Sequence, residues 1–157
     1  MQMCGVFLGL GPSIFDRLMR QVSIGKLKTF QLYERFKLRA RLSKLNAETL
    51  RKAQPKMWAR LEEGDEEFAT DLSQALLVSH MEMIIEVLDF LKIPHQAGFF
   101  DKDIKPEEHL TEGWQQRVYD AFDGKYPSEV LIFYINHLDW ELIKSGSLFA
   151  PASHQAV

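Results

Sequence analysis

The 157-residue sequence lacks most of the features that place a protein in a compartment or a chemical class. Its single cysteine, Cys4, excludes an internal disulfide, so a reducing compartment, the cytoplasm, is expected. No uncharged apolar run approaches the roughly 20 residues of a membrane-spanning helix. The apolar start of the chain is broken by glycine and proline and has no basic region, which disfavours a signal peptide. We therefore expect a soluble protein without a membrane partner.

The short motifs that carry a defined chemistry are also missing. The sequence contains no glycine-rich phosphate loop, no paired-cysteine spacing, no His-Glu-x-x-His zinc helix and no Glu-x-x-His pair of the di-iron kind. No cofactor is therefore expected, and binding is favoured over catalysis. No internal repeat or low-complexity tract is visible, which disfavours a solenoid.

What the sequence does contain is helical periodicity along almost its whole length. Hydrophobic residues make up 46% and charged residues 26% of the chain, which are globular proportions. Apolar positions recur at helical spacing between caps and breakers. The predicted N-caps are Ser13, Asn46, Asp65 and Ser128. The predicted helices lie near 13–22, 26–44, 47–63, 65–92, 106–124 and 128–146. The expected fold is an all-α, irregular bundle of about six helices around the long central helix.

The predicted domain organisation is simple. A flexible N-terminal arm at 1–12 precedes a single compact helical domain at 13–145, and a frayed tail follows at 146–157. The stretch 130–136 allows two interpretations, because its β-branched and aromatic residues favour a strand locally. We predict a helix there, because the pattern runs unbroken from Ser128 to Gly146, which is longer than most strands.

Charge is divided unevenly along the chain. Residues 1–60 contain 13 Lys and Arg against 3 acidic residues, a net charge of +10, whereas the remainder contains 6 basic and 19 acidic residues, a net charge of −13. Such asymmetry is typical of nucleic-acid or membrane partners. On a helical wheel, however, the basic residues of 26–44 form two nearly opposite stripes, whereas a helix that binds a groove or a membrane gathers its charge on one face.

We therefore predict that the basic residues of 26–60 are at least half occupied by carboxylates from 62–141, in the same chain or in a neighbouring subunit. The alternative is a nucleic-acid-binding protein that uses the basic segment 26–60. In that case the expected polyanion contacts are Lys28, Arg35 and Arg39. The three tryptophans are expected to anchor contacts between helices, or to mark a partner surface where one is exposed.

Four polar residues, Asn136, His137, Asp139 and Glu141, lie in one of the most apolar stretches, FYINHLDWEL at 133–142. In a helix they separate into two pairs. Asn136 and Asp139 are expected to be solvated. His137 and Glu141, four residues apart, are expected to form a local ion pair, because a nearby carboxylate favours the charged imidazole.

A metal or proton-transfer site is the alternative for this pair. Because two ligands are too few, it would need a third group, and His80 is the expected donor. The sequence as a whole predicts a helical binding or oligomerisation module without catalytic activity, whose partner is another protein or a second copy. A metal-binding or enzymatic bundle with His80 and His137 lining a pocket is the second alternative.

Overall fold

The computed structural model describes residues 2–23, 47–100 and 103–151. The described elements are α1 (Met3–Leu10), α2 (Pro12–Arg20), α3 (Ala47–Glu62), α4 (Glu66–Ser79), α5 (Met81–Phe90), α6 (Pro106–His109), α7 (Trp114–Phe122), α8 (Ser128–Leu138) and a π-helical turn (Asp139–Ile143). They cover more than half of the chain, and β structure in the described residues is limited to two isolated bridges. The predicted all-α class is confirmed.

Two sequence predictions fall on other parts of the chain. The helix predicted at 26–44 and its neighbour Asn46, predicted as a cap, lie outside the described residues. In the part of the chain that the structure describes, no helix is both long enough and apolar enough to cross a membrane.

Contacts within the chain divide it into two compact units, Met1–Ser79 and His80–Val157. Such a division is compatible with one folding unit or with two, so the single domain at 13–145 stays a prediction.

The predicted central helix at 65–92 is in fact two helices. α4 ends at Ser79 and α5 begins at Met81, with His80 between them at φ −132° and ψ 39°. The Ser79 hydroxyl donates to the Ala75 carbonyl oxygen (2.8 Å) and accepts from the Ser23 backbone N–H (2.9 Å). A hydroxyl that bonds its own helix in this way competes with the backbone ladder. No Gly or Pro marks the break, so periodicity alone did not predict it.

The predicted flexible arm at 1–12 is wrong, because α1 is a helix with four buried residues, Met3, Cys4, Val6 and Phe7. Glu66 at the start of α4 caps it. Its Oε1 accepts from the Met3 N–H (2.6 Å) and its Oε2 from the Cys4 N–H (3.3 Å). These N–H groups have no carbonyl partner within α1, and a carboxylate at a helix N-terminus is stabilising. The cap comes from a distant part of the chain, which explains why local sequence did not reveal it.

The predicted caps agree with the structure at one described position. Asp65 caps α4, since its Oδ1 accepts from the Phe68 N–H (3.1 Å). Ser13 and Ser128 are not caps: α2 begins at Pro12 and α8 begins at Ser128 itself. A proline at the first helical position is already set for the helical backbone, which explains the shift in α2. α3 continues through Pro55 to Glu62.

In the second unit, α8 is the most buried element. Every residue from Val130 to Leu138 is buried. The helix predicted at 130–136 is thereby confirmed. A helix buried all round is apolar all round, so it carries the β-branched and aromatic residues that also suit a strand. The predicted frayed tail at 146–157 is wrong for 146–151, because the backbone of Phe149 is bonded to Asn136 and Pro151 is buried. Residues 152–157 lie outside the described ranges.

Candidate functional site

Asn136 on α8 holds the segment that returns along the helix. It is 2% exposed, and its Nδ2 donates to the carbonyl oxygens of Ile132 (2.9 Å) and Phe149 (3.2 Å). Its Oδ1 accepts from the Phe149 N–H (2.8 Å). The amide thus pairs both backbone groups of Phe149, so it satisfies polar groups that would otherwise be buried unpaired.

Asp139, one turn further along, fixes the start of the same segment. Its Oδ1 accepts from the Ser145 N–H (3.2 Å) and the Ser145 hydroxyl (2.8 Å). Asp139 is 7% exposed. The prediction that Asn136 and Asp139 form a solvated side is therefore wrong, because the chain after Asp139 folds back over them. A helical wheel cannot show a cover supplied by another segment.

His137 is buried and is not an ion pair. Its Nδ1 lies 3.6 Å from Oε2 of Glu141, which is longer than a hydrogen bond, and no residue in the described ranges bonds this nitrogen. Burial lowers the pKa of His137 to about 4, so the imidazole is neutral at neutral pH. The predicted charged imidazole is wrong, because the cost of burying the charge outweighs the attraction of a carboxylate that is itself 38% exposed.

Aromatic side chains surround the His137 ring. Tyr134 stacks on it at 6.4 Å between ring centroids with planes 17° apart, and Trp140 lies at 5.4 Å. Burial, with a smaller effect from Glu141, raises the pKa of the Tyr134 hydroxyl far above its usual range. His137 is thus packed as an aromatic residue whose Nδ1 has no hydrogen-bond partner in the part of the chain that the structure describes, and neither ring is poised to change its charge at neutral pH.

The third member of the predicted site, His80, lies at the break between α4 and α5, where it is half-buried. The structure brings Glu141 to His137, but no three His, Cys, Asp or Glu side chains in the described residues are grouped to hold a metal ion. The predicted trio is therefore not assembled as a metal centre. A functional role for His80, His137 or Glu141 individually stays a prediction.

The polyanion contacts predicted at Lys28, Arg35 and Arg39 lie outside the described residues. Of the basic segment that is described, Arg60 pairs with Asp65 (2.8 Å) and covers the ring of Phe68 at 4.0 Å. Lys52 pairs instead with Glu48, within the basic segment (3.3 Å). The extent of pairing with the acidic part of the chain thus stays a prediction.

A tight turn after α5 is a feature that the sequence did not reveal. Gln96 and Phe99 exchange both backbone hydrogen bonds (2.7 and 3.0 Å), and the two residues between them, Ala97 and Gly98, have positive φ angles of 53° and 92°. This is the geometry of a two-residue hairpin turn, which usually carries Asn-Gly or Asp-Gly. Because Ala-Gly is a weak signal for such a turn, the sequence alone does not reveal it.

His95 braces this turn against α5. Its Nδ1 accepts from the Gly98 N–H (3.0 Å), so the proton lies on Nε2, which donates to Oδ1 of Asp89 (2.7 Å). Gly98 packs on α5, where an added Cβ would lie 2.6 Å from the Met81 methyl. The hydrogen bonds of His95 and the packing of Gly98 fix the backbone that leads into Phe99.

Phe99 projects from the braced turn with 68% of its surface exposed. The other exposed large apolar residues of the described ranges, Leu8, Phe90 and Ile143, have 37 to 43% of their surface exposed. An aromatic side chain held in solvent on a fixed backbone can act as an anchor for a partner.

Comparison with protein-family models, with curated protein sequences and with solved structures finds no match to this chain in any of the three.

Proposed function

We propose that the chain is a helical protein-binding module without catalytic activity, and that Phe99 is the anchor of its contact surface. The observation that carries the proposal is the 68% exposure of Phe99 on a turn braced by His95. A phenylalanine on a loose loop can fold back on its own surface. Phe99 follows a backbone already fixed by the turn, so binding through it orders little of the chain and loses little entropy.

Three of the four polar residues in the stretch 133–142 also support a non-catalytic role. Asn136 and Asp139 are used to hold the C-terminal segment, and His137 is packed among aromatic rings. The charge of the chain suggests the kind of partner. Since residues 61–157 carry a net charge of −13 and residues 1–60 a net charge of +10, a second copy is electrostatically complementary, as is another protein with a basic surface.

A cytoplasmic location is part of the proposal, because a single cysteine cannot form an internal disulfide, which fits a reducing compartment. The one cysteine, Cys4, is 4% exposed, and burial with the nearby Glu66 carboxylate raises the pKa of its thiol to about 11. Such a thiol is a poor nucleophile and is suited to a structural role.

The first experiment is sedimentation equilibrium of the whole chain over a wide concentration range. If a second copy is the partner, the mass rises above that of one chain, and Phe99→Ser returns it to that of one chain. Ile143→Ser is the matched control, because it removes another exposed apolar side chain, 39% exposed, from the same unit. It should leave the mass unchanged.

If the wild type remains one chain, a photoreactive amino acid at position 99 tests for a different partner protein. A discrete crosslinked product from position 99, absent when the probe replaces Ile143, is expected. A single-chain mass together with no specific crosslink at position 99 would contradict the proposal. No observation on the described residues favours the nucleic-acid or the metal-enzyme alternative, so neither is proposed.

A further inference from the structure

A groove of about 320 Å³ lies between α2 and α3 in the first unit, remote in sequence from Phe99. We call it the α2–α3 groove. It is lined by Pro12, Phe15, Asp16, Arg51, Gln54, Pro55 and Trp58. Its volume is at the lower end of the range, roughly 300 to 1,000 Å³, of sites that bind small molecules.

The apolar part of the α2–α3 groove is aromatic and rigid. The rings of Phe15 and Trp58 are 5.2 Å apart with planes 49° apart. Phe15 is buried, whereas Trp58 is half-buried, so part of the indole faces the groove. Pro12 and Pro55 add two rings with no freedom in φ. Such a surface suits a flat ring, because stacking on it requires little reorganisation of the protein.

The acidic and the basic side chain of the groove differ in their bonding. Oδ1 of Asp16 accepts from Nε2 of Gln54 (3.0 Å), and its Oδ2 lies 3.2 Å from Nε of Arg20, so this carboxylate is already satisfied. Arg51, by contrast, makes no ion pair or hydrogen bond with any residue in 2–23, 47–100 or 103–151. The charged group of the lining that has no partner among these described residues is therefore the Arg51 guanidinium.

A guanidinium offers paired N–H donors in one plane, which match the two oxygens of a carboxylate. We propose that the α2–α3 groove binds a small organic anion that joins a carboxylate to a flat aromatic ring. Arg51 binds the carboxylate, and the ring lies against Trp58 between the two prolines. This site is independent of the contact proposed at Phe99.

The test is an NMR titration of the whole, isotope-labelled chain with naphthoate, observing the indole N–H signals. The Trp58 signal is expected to shift in a saturable manner, while those of Trp114 and Trp140, in the other unit, stay in place and report that the fold is intact. Naphthamide, which has the same ring but no charge, should bind roughly tenfold more weakly, because it lacks the charge-assisted bonds to Arg51.

Two variants distinguish specific binding in the groove from general attraction of anions to a basic surface. Arg51→Gln should weaken naphthoate binding roughly tenfold and leave naphthamide binding unchanged. Lys56→Gln removes the same charge from an exposed position of α3 outside the groove lining, and should leave naphthoate affinity unchanged. An unmoved Trp58 signal at millimolar naphthoate would overturn the proposal, and so would equal weakening by Arg51→Gln and Lys56→Gln.

Discussion

Nδ1 of His137 lies 3.6 Å from Oε2 of Glu141, one helical turn away, yet the two do not form an ion pair. The imidazole is 6% exposed, and burial lowers its pKa to about 4. The charged form is excluded by the loss of hydration, which the half-exposed carboxylate does not offset. A His and a Glu four residues apart favour a charged imidazole when they lie on a helix surface. Here the same spacing carries a neutral histidine, because His137 is buried.

This neutral histidine gives a prediction for stability against pH. The pKa of His137 is about 4 in the folded state and near 6.5 in the unfolded state. The unfolded chain therefore takes up the proton first as the pH falls. The contribution of His137 to stability is fully present above about pH 7 and declines as the pH falls from 6.5 towards 4, with a loss of about 2 kcal/mol by pH 5.

Urea unfolding at pH 7 and pH 5 measures this loss. His137→Phe keeps an aromatic ring beside Tyr134 and Trp140 and should lose about 2 kcal/mol less between the two pH values than the wild type. Leu8→Ser, which changes an exposed residue without a titratable group, is the control and should follow the wild type. If His137→Phe and the wild type declined in parallel, His137 would not be a buried neutral group.

The second prediction concerns the link between Asn136 and Phe149. Asn136→Ala removes three hydrogen bonds and leaves the N–H and carbonyl of Phe149 without their partner. We expect a loss of about 2 kcal/mol in the free energy of unfolding and faster proteolysis within 144–151. Gln116→Ala, which removes an exposed bond to Asp120 (2.9 Å), should change stability by less than about 0.5 kcal/mol. Unchanged proteolysis in Asn136→Ala would show that the amide does not fasten this segment.

The third prediction isolates the brace at the turn. His95→Ala removes the acceptor of the Gly98 N–H, so hydrogen exchange at this amide should accelerate roughly tenfold or more, while overall stability changes by about 1 kcal/mol or less. Asp89→Asn is the control, because an amide oxygen still accepts from Nε2 and the bond to Gly98 is kept. Equal protection of Gly98 in the wild type and in His95→Ala would mean that packing on α5 alone fixes the turn.

Periodicity predicted the helical class and the helix at 130–136, because burial on all sides still leaves a long apolar run between breakers. It did not predict the capping of α1 by Glu66 or the cover over Asn136 and Asp139. These features depend on which segment of the chain meets which, and local sequence does not contain that information. The break at His80 is of the same kind, since Ser79 is bonded by the backbone of Ser23 from far along the chain.

The candidate site shows the same division between local and tertiary information. The spacing of His137 and Glu141 placed them on one side of the helix correctly, as their 3.6 Å separation shows. The charge state of His137 followed from its burial, which the spacing did not reveal. His95 bonds to Asp89 and to the Gly98 N–H, and both bonds depend on how the chain turns after α5, which the sequence did not reveal.

The last prediction decides between pairing within the protein and polyanion binding. If acidic residues occupy the basic segment 26–60, the chain should bind duplex DNA and single-stranded RNA only weakly at physiological salt. Changing Lys28, Arg35 and Arg39 together to Gln should then leave this weak binding almost unaltered. The measurement is fluorescence anisotropy of labelled oligonucleotides at several salt concentrations. Tight binding that falls steeply with salt, and whose salt dependence is reduced by about one power for each charge removed, would instead establish these three residues as phosphate contacts.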